Sequence, residues 1–314
     1  MIQLKEKKII KSELKPFLKW AGGKKQLVDE IISRIPGRIV EGNNIVYVEP
    51  FVGSGAVLFQ MFNLYKDKIK KTVISDLNNN LINTYTAIRN SLNRLLEELE
   101  ELKTQFLKSE FETERQKFYL QKRDEFNAYS INRIKKAALF IFLNKTCFNG
   151  LYRENSDGIF NVPFGRYKNP KIFDKKLLEK INKILQQVEI KNVPYKEIVK
   201  YVDHERAVFY LDPPYKPISK TASFNAYTKN CFNDFEQEKL KDFCDTITRL
   251  GHFFILSNSD LKNINKNNNY FDNLYKDYSI QRVKAKRSIN SKGDRRGEIN
   301  ELIITNENKI NFNI

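Results

Sequence analysis

The segment Ala207–Tyr215, AVFYLDPPY, constrains this chain more than any other stretch. Its first five residues are apolar or aromatic without alternation, the pattern of a strand covered on both faces. Two prolines then stop it. Neither has an N–H for a ladder, and a residue before proline is held away from helix geometry. FFILSNS (Phe253–Ser259) reads as a second such strand. Upstream, VYVEP (Val46–Pro50) and TVISD (Thr72–Asp76) are β-prone, and FVGSGAVLF (Phe51–Phe59) runs from a glycine turn into an apolar stretch between them. That strand–turn–helix–strand order indicates a doubly wound α/β sheet. Two more strands are expected around Ser279–Ala285 and Glu301–Asn306.

The sheet is split along the sequence. Ile88, Leu92, Leu95, Leu96, Leu99 and Leu102 recur at spacings of three and four, which predicts a helix. A charged stretch follows from Lys103 to Arg133, and IKKAALFIFL (Ile134–Leu143) reads as a buried helix. Next, CFNGLYRENSDGIFNVPFGRY (Cys147–Tyr167) places Asp157-Gly158 between β-prone flanks, a hairpin signal. The expected division is therefore one α/β domain from 1–78 and 174–314, and an inserted domain from 79–173 with a hairpin near 147–167. KAKRSINSKGDRRG (Lys284–Gly297) is basic and glycine-punctuated, as in a surface loop.

Charge narrows the partners. Lys and Arg number 55 against 38 Asp and Glu, a formal charge of +17. Such an excess favours a polyanion, either nucleic acid or an anionic membrane. No apolar run approaches the roughly 18 residues that span a bilayer. The start, MIQLKEKKIIKSELK, is charged throughout and has no signal-peptide core. Cys147, Cys231 and Cys244 are scattered and odd in number, which suits a reducing compartment and matches no zinc spacing. Cytoplasmic residence is the expectation. With His204 and His252 the only histidines, neither a His-based catalytic centre nor a bound metal is expected.

Three motifs carry chemistry. In EPFVGSG (Glu49–Gly55), Gly53 and Gly55 lack the Cβ atoms that would block a ligand from the backbone. Asp76 follows about 20 residues later, the spacing of a carboxylate placed to hold ribose hydroxyls. The turn has neither the third glycine of a dinucleotide fingerprint nor the Gly-Lys-Ser/Thr ending of a phosphate loop, which disfavours NAD and ATP. KWAGGK (Lys19–Lys24) sets Trp20 to pack on a cofactor and Lys24 to reach a carboxylate; the competing reading is a packing Trp before a helix start. DPPY (Asp212–Tyr215) is the sharpest. Asp212 and the Pro213 carbonyl offer two acceptors beside the flat ring of Tyr215. That set suits a planar amino group with two N–H donors, such as the exocyclic NH₂ of a nucleobase.

KWAGGK, EPFVGSG, SDLN (Ser75–Asn78), NKTCFNGLYR (Asn144–Arg153), FNVPFGRY (Phe160–Tyr167), DPPY, LSNS (Leu256–Ser259) and ELIITN (Glu301–Asn306) fall in one order. In that order they resemble the Dam-type DNA adenine-N6 methyltransferases (D12 class, alpha group). The resemblance runs from about Lys15 to Asn306 and is weakest over Ser91–Arg133. It implies a Rossmann-like S-adenosylmethionine-dependent sheet with an inserted, mostly helical target-recognition domain carrying the hairpin. It implies S-adenosylmethionine as cofactor, contacted by Trp20, Lys24, Asp76 and Asp212, with Phe51, Gly53 and Gly55 cradling its methionine part. Asp212, Pro213, Pro214 and Tyr215 would be catalytic, acting on an adenine swung out of duplex DNA.

Phe148 resembles the aromatic inserted beside the vacated base, Arg153 the arginine that reads a guanine, and Pro163 a contact to a thymine methyl. Arg166 lies in the same block. Lys284, Lys286, Arg287, Lys292, Arg295 and Arg296 are candidates for phosphate contacts. Structural alternatives stand beside these: Phe148 in the core, Arg153 on phosphate, Pro163 in a turn. The implied target is GATC, with a cognate restriction endonuclease as functional partner. Two other classes compete. One is the same chemistry on RNA or a glutamine side chain. The other is a basic DNA-binding protein that kept only the shell of the enzyme.

Overall fold

The computed structural model describes residues 13–20, 22, 24, 26–202, 206–215, 232–286 and 298–310. Its strands are β1 (Ile45–Glu49), β2 (Ile69–Ser75), β3 (Val188–Lys191), β4 (Ala207–Leu211), β5 (Phe253–Ser259), β6 (Ser279–Lys286) and β7 (Glu298–Thr305). They form one seven-stranded sheet in the order β3-β2-β1-β4-β5-β7-β6. The first five neighbours run parallel, and β7 pairs antiparallel with both β5 and β6. The order reverses direction between β1 and β4, so the carboxyl ends of those two strands face the crevice where open α/β sheets bind ligands. The expected Rossmann-like sheet is present.

Strand composition explains the layering. Tyr47, Val208, Tyr210, Phe253, Ile255 and Ile303 enter one apolar cluster. Their alternating neighbours Val46, Val48, Phe209, Leu211, Phe254, Leu256, Leu302 and Ile304 enter a second cluster on the opposite face. Both faces are covered, so the strands read as unbroken apolar runs. β3 is short and only Val188 in it is buried, which is why the sequence gives no sign of it.

The helices are α1 (Val28–Ile32), α2 (Gly37–Glu41), α3 (Ala56–Tyr65), α4 (Asn79–Asn90), α5 (Leu92–Lys108), α6 (Glu112–Asn127), α7 (Arg133–Thr146), α8 (Lys175–Leu185), α9 (Asp234–Arg249) and α10 (Tyr270–Leu274). The helical pattern expected across Ile88–Leu102 is present as two helices, broken at Ser91, whose backbone is non-helical at φ −145°, ψ 38°. Ile88 therefore belongs to α4 and Leu92–Leu102 to α5. Both helices bury apolar stripes of the same spacing, so periodicity alone runs across the break. α6 occupies the charged stretch, where only Tyr119 and Phe126 are buried. α7 is the expected buried helix, capped by the Asn132 side chain. Helices α5 to α7 and one sheet face share a single apolar cluster.

The hairpin expected near 147–167 is an irregular excursion. It pairs at two isolated bridges, Cys147 with Phe164 and Glu154 with Phe160, rather than along continuous strands. Its tip turns at Gly158 (φ +79°), which donates to the Asn155 carbonyl at 3.0 Å. Asn155 Oδ1 also accepts from the N–H groups of Asp157 and Ile159, at 3.0 and 2.9 Å. That side chain replaces ladder bonds, which is why strand pairing stops there. Among the described residues no helix is long and apolar enough to cross a membrane.

Candidate active site

The glycine turn between β1 and α3 is closed from below. Gly53 (φ +47°) and Gly55 (φ +73°) take left-handed conformations. The Gly53 N–H donates to Asp76 Oδ2 at 3.1 Å, while Asp76 Oδ1 accepts from the Asn78 N–H at 2.9 Å. Burial holds Asp76 above the usual carboxylate range, and these backbone donors oppose the shift. Asp76 thus ties the ends of β1 and β2 together, each oxygen keeping a further lone pair. Trp20 lies against the turn. A Cβ on Gly53 would stand 3.0 Å from Trp20 Cδ1.

At the end of β4 the groups are paired in advance. Lys24, buried to 5% exposure, places Nζ 2.8 Å from Asp212 Oδ1 and 2.9 Å from the Gly22 carbonyl. The same ammonium lies 4.3 Å from the centre of the Tyr215 ring. The Tyr215 hydroxyl donates to Glu301 Oε2 at 2.7 Å, joining the DPPY segment to β7. Burial raises the Asp212 pKa, Lys24 lowers it and Glu301 raises it. Tyr215 is held well above the ordinary phenol range by burial, then by Asp212 and Glu301. Behind them, the Tyr47 hydroxyl donates to Glu49 Oε2 at 2.7 Å. Burial pushes Glu49 well above the usual carboxylate range, with Asp212 and Asp76 adding to the rise.

Most of these groups line one cleft of about 1460 Å³, with Tyr47 and Glu301 behind its lining residues. Trp20, Lys24, Phe51, Gly53, Asp76, Asp212, Pro213, Pro214 and Tyr215 all border it; Gly55, expected there, does not, because it caps α3 and a Cβ on it would stand 2.7 Å from the Tyr85 hydroxyl. Phe51 packs with Tyr195 and Phe232, at ring-centroid distances of 5.3 and 6.3 Å, to make an aromatic recess at one side. The Tyr195 hydroxyl is buried with no hydrogen-bond partner among the described residues. The lining suits a ligand bearing both charge signs: Asp76, Asp212, Glu154, Glu236 and the buried Glu49 share it with the buried ammonium of Lys24.

Phe148, Arg153, Pro163 and Arg166, expected at DNA, are not among the residues that line the cleft and lie on the excursion after α7. Phe148 is 50% exposed, which excludes the core reading. Its N–H donates to the Pro163 carbonyl at 2.9 Å, so the two expected contacts are neighbours. Pro163 is exposed. Arg153 is exposed and braced by Asn161, with Nε 2.8 Å from Oδ1 and a terminal nitrogen 3.3 Å from the Asn161 carbonyl. Arg166 (φ +56°) is exposed, its Nε 3.6 Å from Glu112 Oε1. Lys284 is exposed on β6. The Lys286 side chain, and Arg287, Lys292, Arg295 and Arg296, lie outside the described residues.

Sequence reasoning did not single out Glu49, Tyr152, Tyr195 or Glu301. Glu49 precedes the glycine turn and Tyr152 precedes Arg153, so both stood inside blocks already quoted. Glu301 gave no signal beyond its place in ELIITN.

Comparison with known proteins agrees with the geometry. Residues 20–289 match the family described as D12 class N6 adenine-specific DNA methyltransferase. The type II methyltransferase M.MjaIII of Methanocaldococcus jannaschii is 47% identical over 94% of this chain and 99% of its own. The type II methyltransferase M1.LlaDCHI of Lactococcus lactis subsp. cremoris is 35% identical over 94% and 96%. The DNA adenine methylase of Escherichia coli K12 is 34% identical over 91% and 93%.

Proposed function

Because this chain belongs to the D12 class of N6 adenine-specific DNA methyltransferases, we propose that it methylates the N6 amino group of adenine in GATC sites of duplex DNA. S-adenosylmethionine is the donor, and the target base is swung out of the helix. One observation carries the reading: Asp212 ends β4 facing the cleft, with Tyr215, Lys24 and the glycine turn on its walls. S-adenosylmethionine supplies an electrophilic methyl group on a sulfonium. The residues fit it: carboxylates for its cationic groups, Lys24 for its carboxylate, Asp76 for its ribose, and the recess of Phe51, Tyr195 and Phe232 for its base.

The chain's own task is to prepare a poor nucleophile. The adenine amino lone pair is delocalised into the ring. Asp212 and the Pro213 carbonyl accept the two N–H bonds, so the nitrogen pyramidalises and presents its lone pair. As the N–C bond forms and the methyl–sulfur bond breaks, leaving a neutral thioether, positive charge grows on that nitrogen, and acceptors already in place stabilise it without reorganising. The nitrogen then passes one N–H proton to the Asp212 carboxylate and from there to water. Tyr215 stacks on the everted ring. Alignment of nitrogen, methyl carbon and sulfur supplies several kcal/mol more. No histidine or metal is called for in these steps.

Residues 79–173 form the target-recognition part, the rest the catalytic part. Arg153 reads a guanine through O6 and N7, Phe148 fills the space left by the adenine, and Pro163 touches a thymine methyl. Their exposure on one excursion supports this. The charge of +17 serves phosphate binding, including Lys284 and Arg166. The protein works on DNA in the cytoplasm. A restriction endonuclease of the same specificity would be its functional partner, in keeping with its likeness to two type II methyltransferases. The test is methyl transfer in vitro to plasmid DNA, with modified adenines mapped by methylation-sensitive nucleases. Protection confined to GATC is expected. Transfer to RNA or protein in its place would overturn the reading.

A further inference from the structure

Tyr152 stands where the two halves of the molecule meet. It lines the cleft although it belongs to the excursion that carries Arg153. Its ring is stacked on Trp20, with centroids 5.7 Å apart and planes 23° from parallel. Trp20 in turn lies against the glycine turn at Gly53. The Tyr152 hydroxyl accepts from Asn80 Nδ2 at 3.0 Å and donates to the Glu154 carboxylate. Asn80 sits in the first turn of α4, four residues after Asp76. Phe140 and Phe160 hold the ring from behind, at 5.4 and 5.6 Å between centroids. One side chain therefore touches the wall beside the glycine turn, the helix that follows Asp76, and Glu154, the residue after Arg153.

We infer that Tyr152 is a positioning residue that couples the donor pocket to target readout. The inference rests on the proposed methyl transfer and deepens it. The donor pocket lacks part of its Trp20 wall unless the excursion is seated. Ordering of Tyr152 by a donor in the cleft therefore fixes the backbone from which Arg153 projects, and duplex engagement of Arg153 firms the same wall. By linkage, each ligand then tightens the other by one common factor.

The experiment measures binding of S-adenosylhomocysteine by calorimetry, with and without a duplex carrying one GATC, and duplex binding with and without S-adenosylhomocysteine. The wild type should show a tightening of roughly five-fold or more, equal in both directions. Tyr152→Leu fills the space between Phe140 and Phe160 but offers no flat face to Trp20. It should bind S-adenosylhomocysteine about tenfold more weakly and show a coupling factor near one, an offset stack being worth roughly that much. Tyr152→Phe keeps the stack and loses the hydroxyl. It should hold S-adenosylhomocysteine within about twofold of the wild type yet lose most of the coupling, because the links to Asn80 and Glu154 are gone. Far-ultraviolet circular dichroism confirms that each variant is folded. An unaltered coupling factor in both variants, or no coupling in the wild type, overturns the inference while leaving methyl transfer intact. A wild type that binds no S-adenosylhomocysteine removes the underlying reading, and this inference with it.

Discussion

The end of β4 and the excursion after α7 solve opposite problems. Asp212, Lys24, Tyr215 and Glu301 are joined to one another before any substrate arrives. Their desolvation is already offset by folding, so the acceptors proposed for the amino group are oriented in advance. Phe148, Arg153, Pro163 and Arg166 are exposed, and the polar contacts of the Arg153 and Arg166 side chains, to Asn161 and Glu112, stay within the recognition part. These side chains lose water only when a partner covers them. The contrast teaches where each kind of substitution should register. A change at the strand end alters the rate on every sequence, whereas a change on the excursion alters which sequences react.

The largest expected effect is at Asp212. Asp212→Ala removes the proposed acceptor of the amino group and the counter-charge of the Lys24 ammonium, which is 5% exposed. It should lower kcat by roughly 10³-fold or more, and Asp212→Asn by somewhat less, judging by the loss of one preorganised group. Single-turnover transfer of labelled methyl groups at saturating ligand checks this. Near-normal turnover by Asp212→Ala would sever the strand end from catalysis and dissolve the contrast.

Arg153 sharpens the other side. Arg153→Ala should leave kcat on a saturating GATC duplex within a few-fold. It should shrink the preference for that site over one with a changed guanine by about 1–3 kcal/mol. The measurement is the ratio of kcat/KM for the two duplexes, taken at fixed salt because phosphate contacts make affinity salt-dependent. An equal loss on both duplexes would make Arg153 a phosphate contact.

The same contrast separates what the sequence discloses from what it hides. Asp212 and the glycine turn were legible because proline and glycine force the backbone, and such forcing is written locally. Phe148 and Arg153 could be placed on a hairpin, but whether Phe148 was buried depended on packing that no spacing encodes. Ser91 hid a helix boundary because both flanking helices bury stripes of one period. β3 escaped notice because it is short and mostly part-buried. Glu301 was out of reach for another reason. It meets Tyr215 from a strand 86 residues further along the chain, brought there by the antiparallel pairing of β7 with β5.

That contact yields the smallest and most discriminating effect. Glu301→Ala deprives the Tyr215 hydroxyl of its acceptor, and kcat should fall about five- to tenfold, the usual worth of one buried hydrogen bond. Glu301→Gln retains an acceptor oxygen and should recover most of that loss. The pH profile separates bond from charge. Burial raises the Asp212 pKa against the pull of Lys24, and Glu301 adds to the rise, so the carboxylate proposed as catalytic ionises only as pH climbs through that elevated value. Activity is thus lost on acidification earlier than an ordinary carboxylate would dictate. Removing the negative charge at Glu301 lowers the Asp212 pKa, and the acid limb of kcat should move to lower pH. Both Glu301 variants should show that displacement, although only Glu301→Gln recovers the rate. An acid limb that stays in place in both would mean that Glu301 acts on Tyr215 alone, and that Asp212 is set by burial and Lys24 without help from β7.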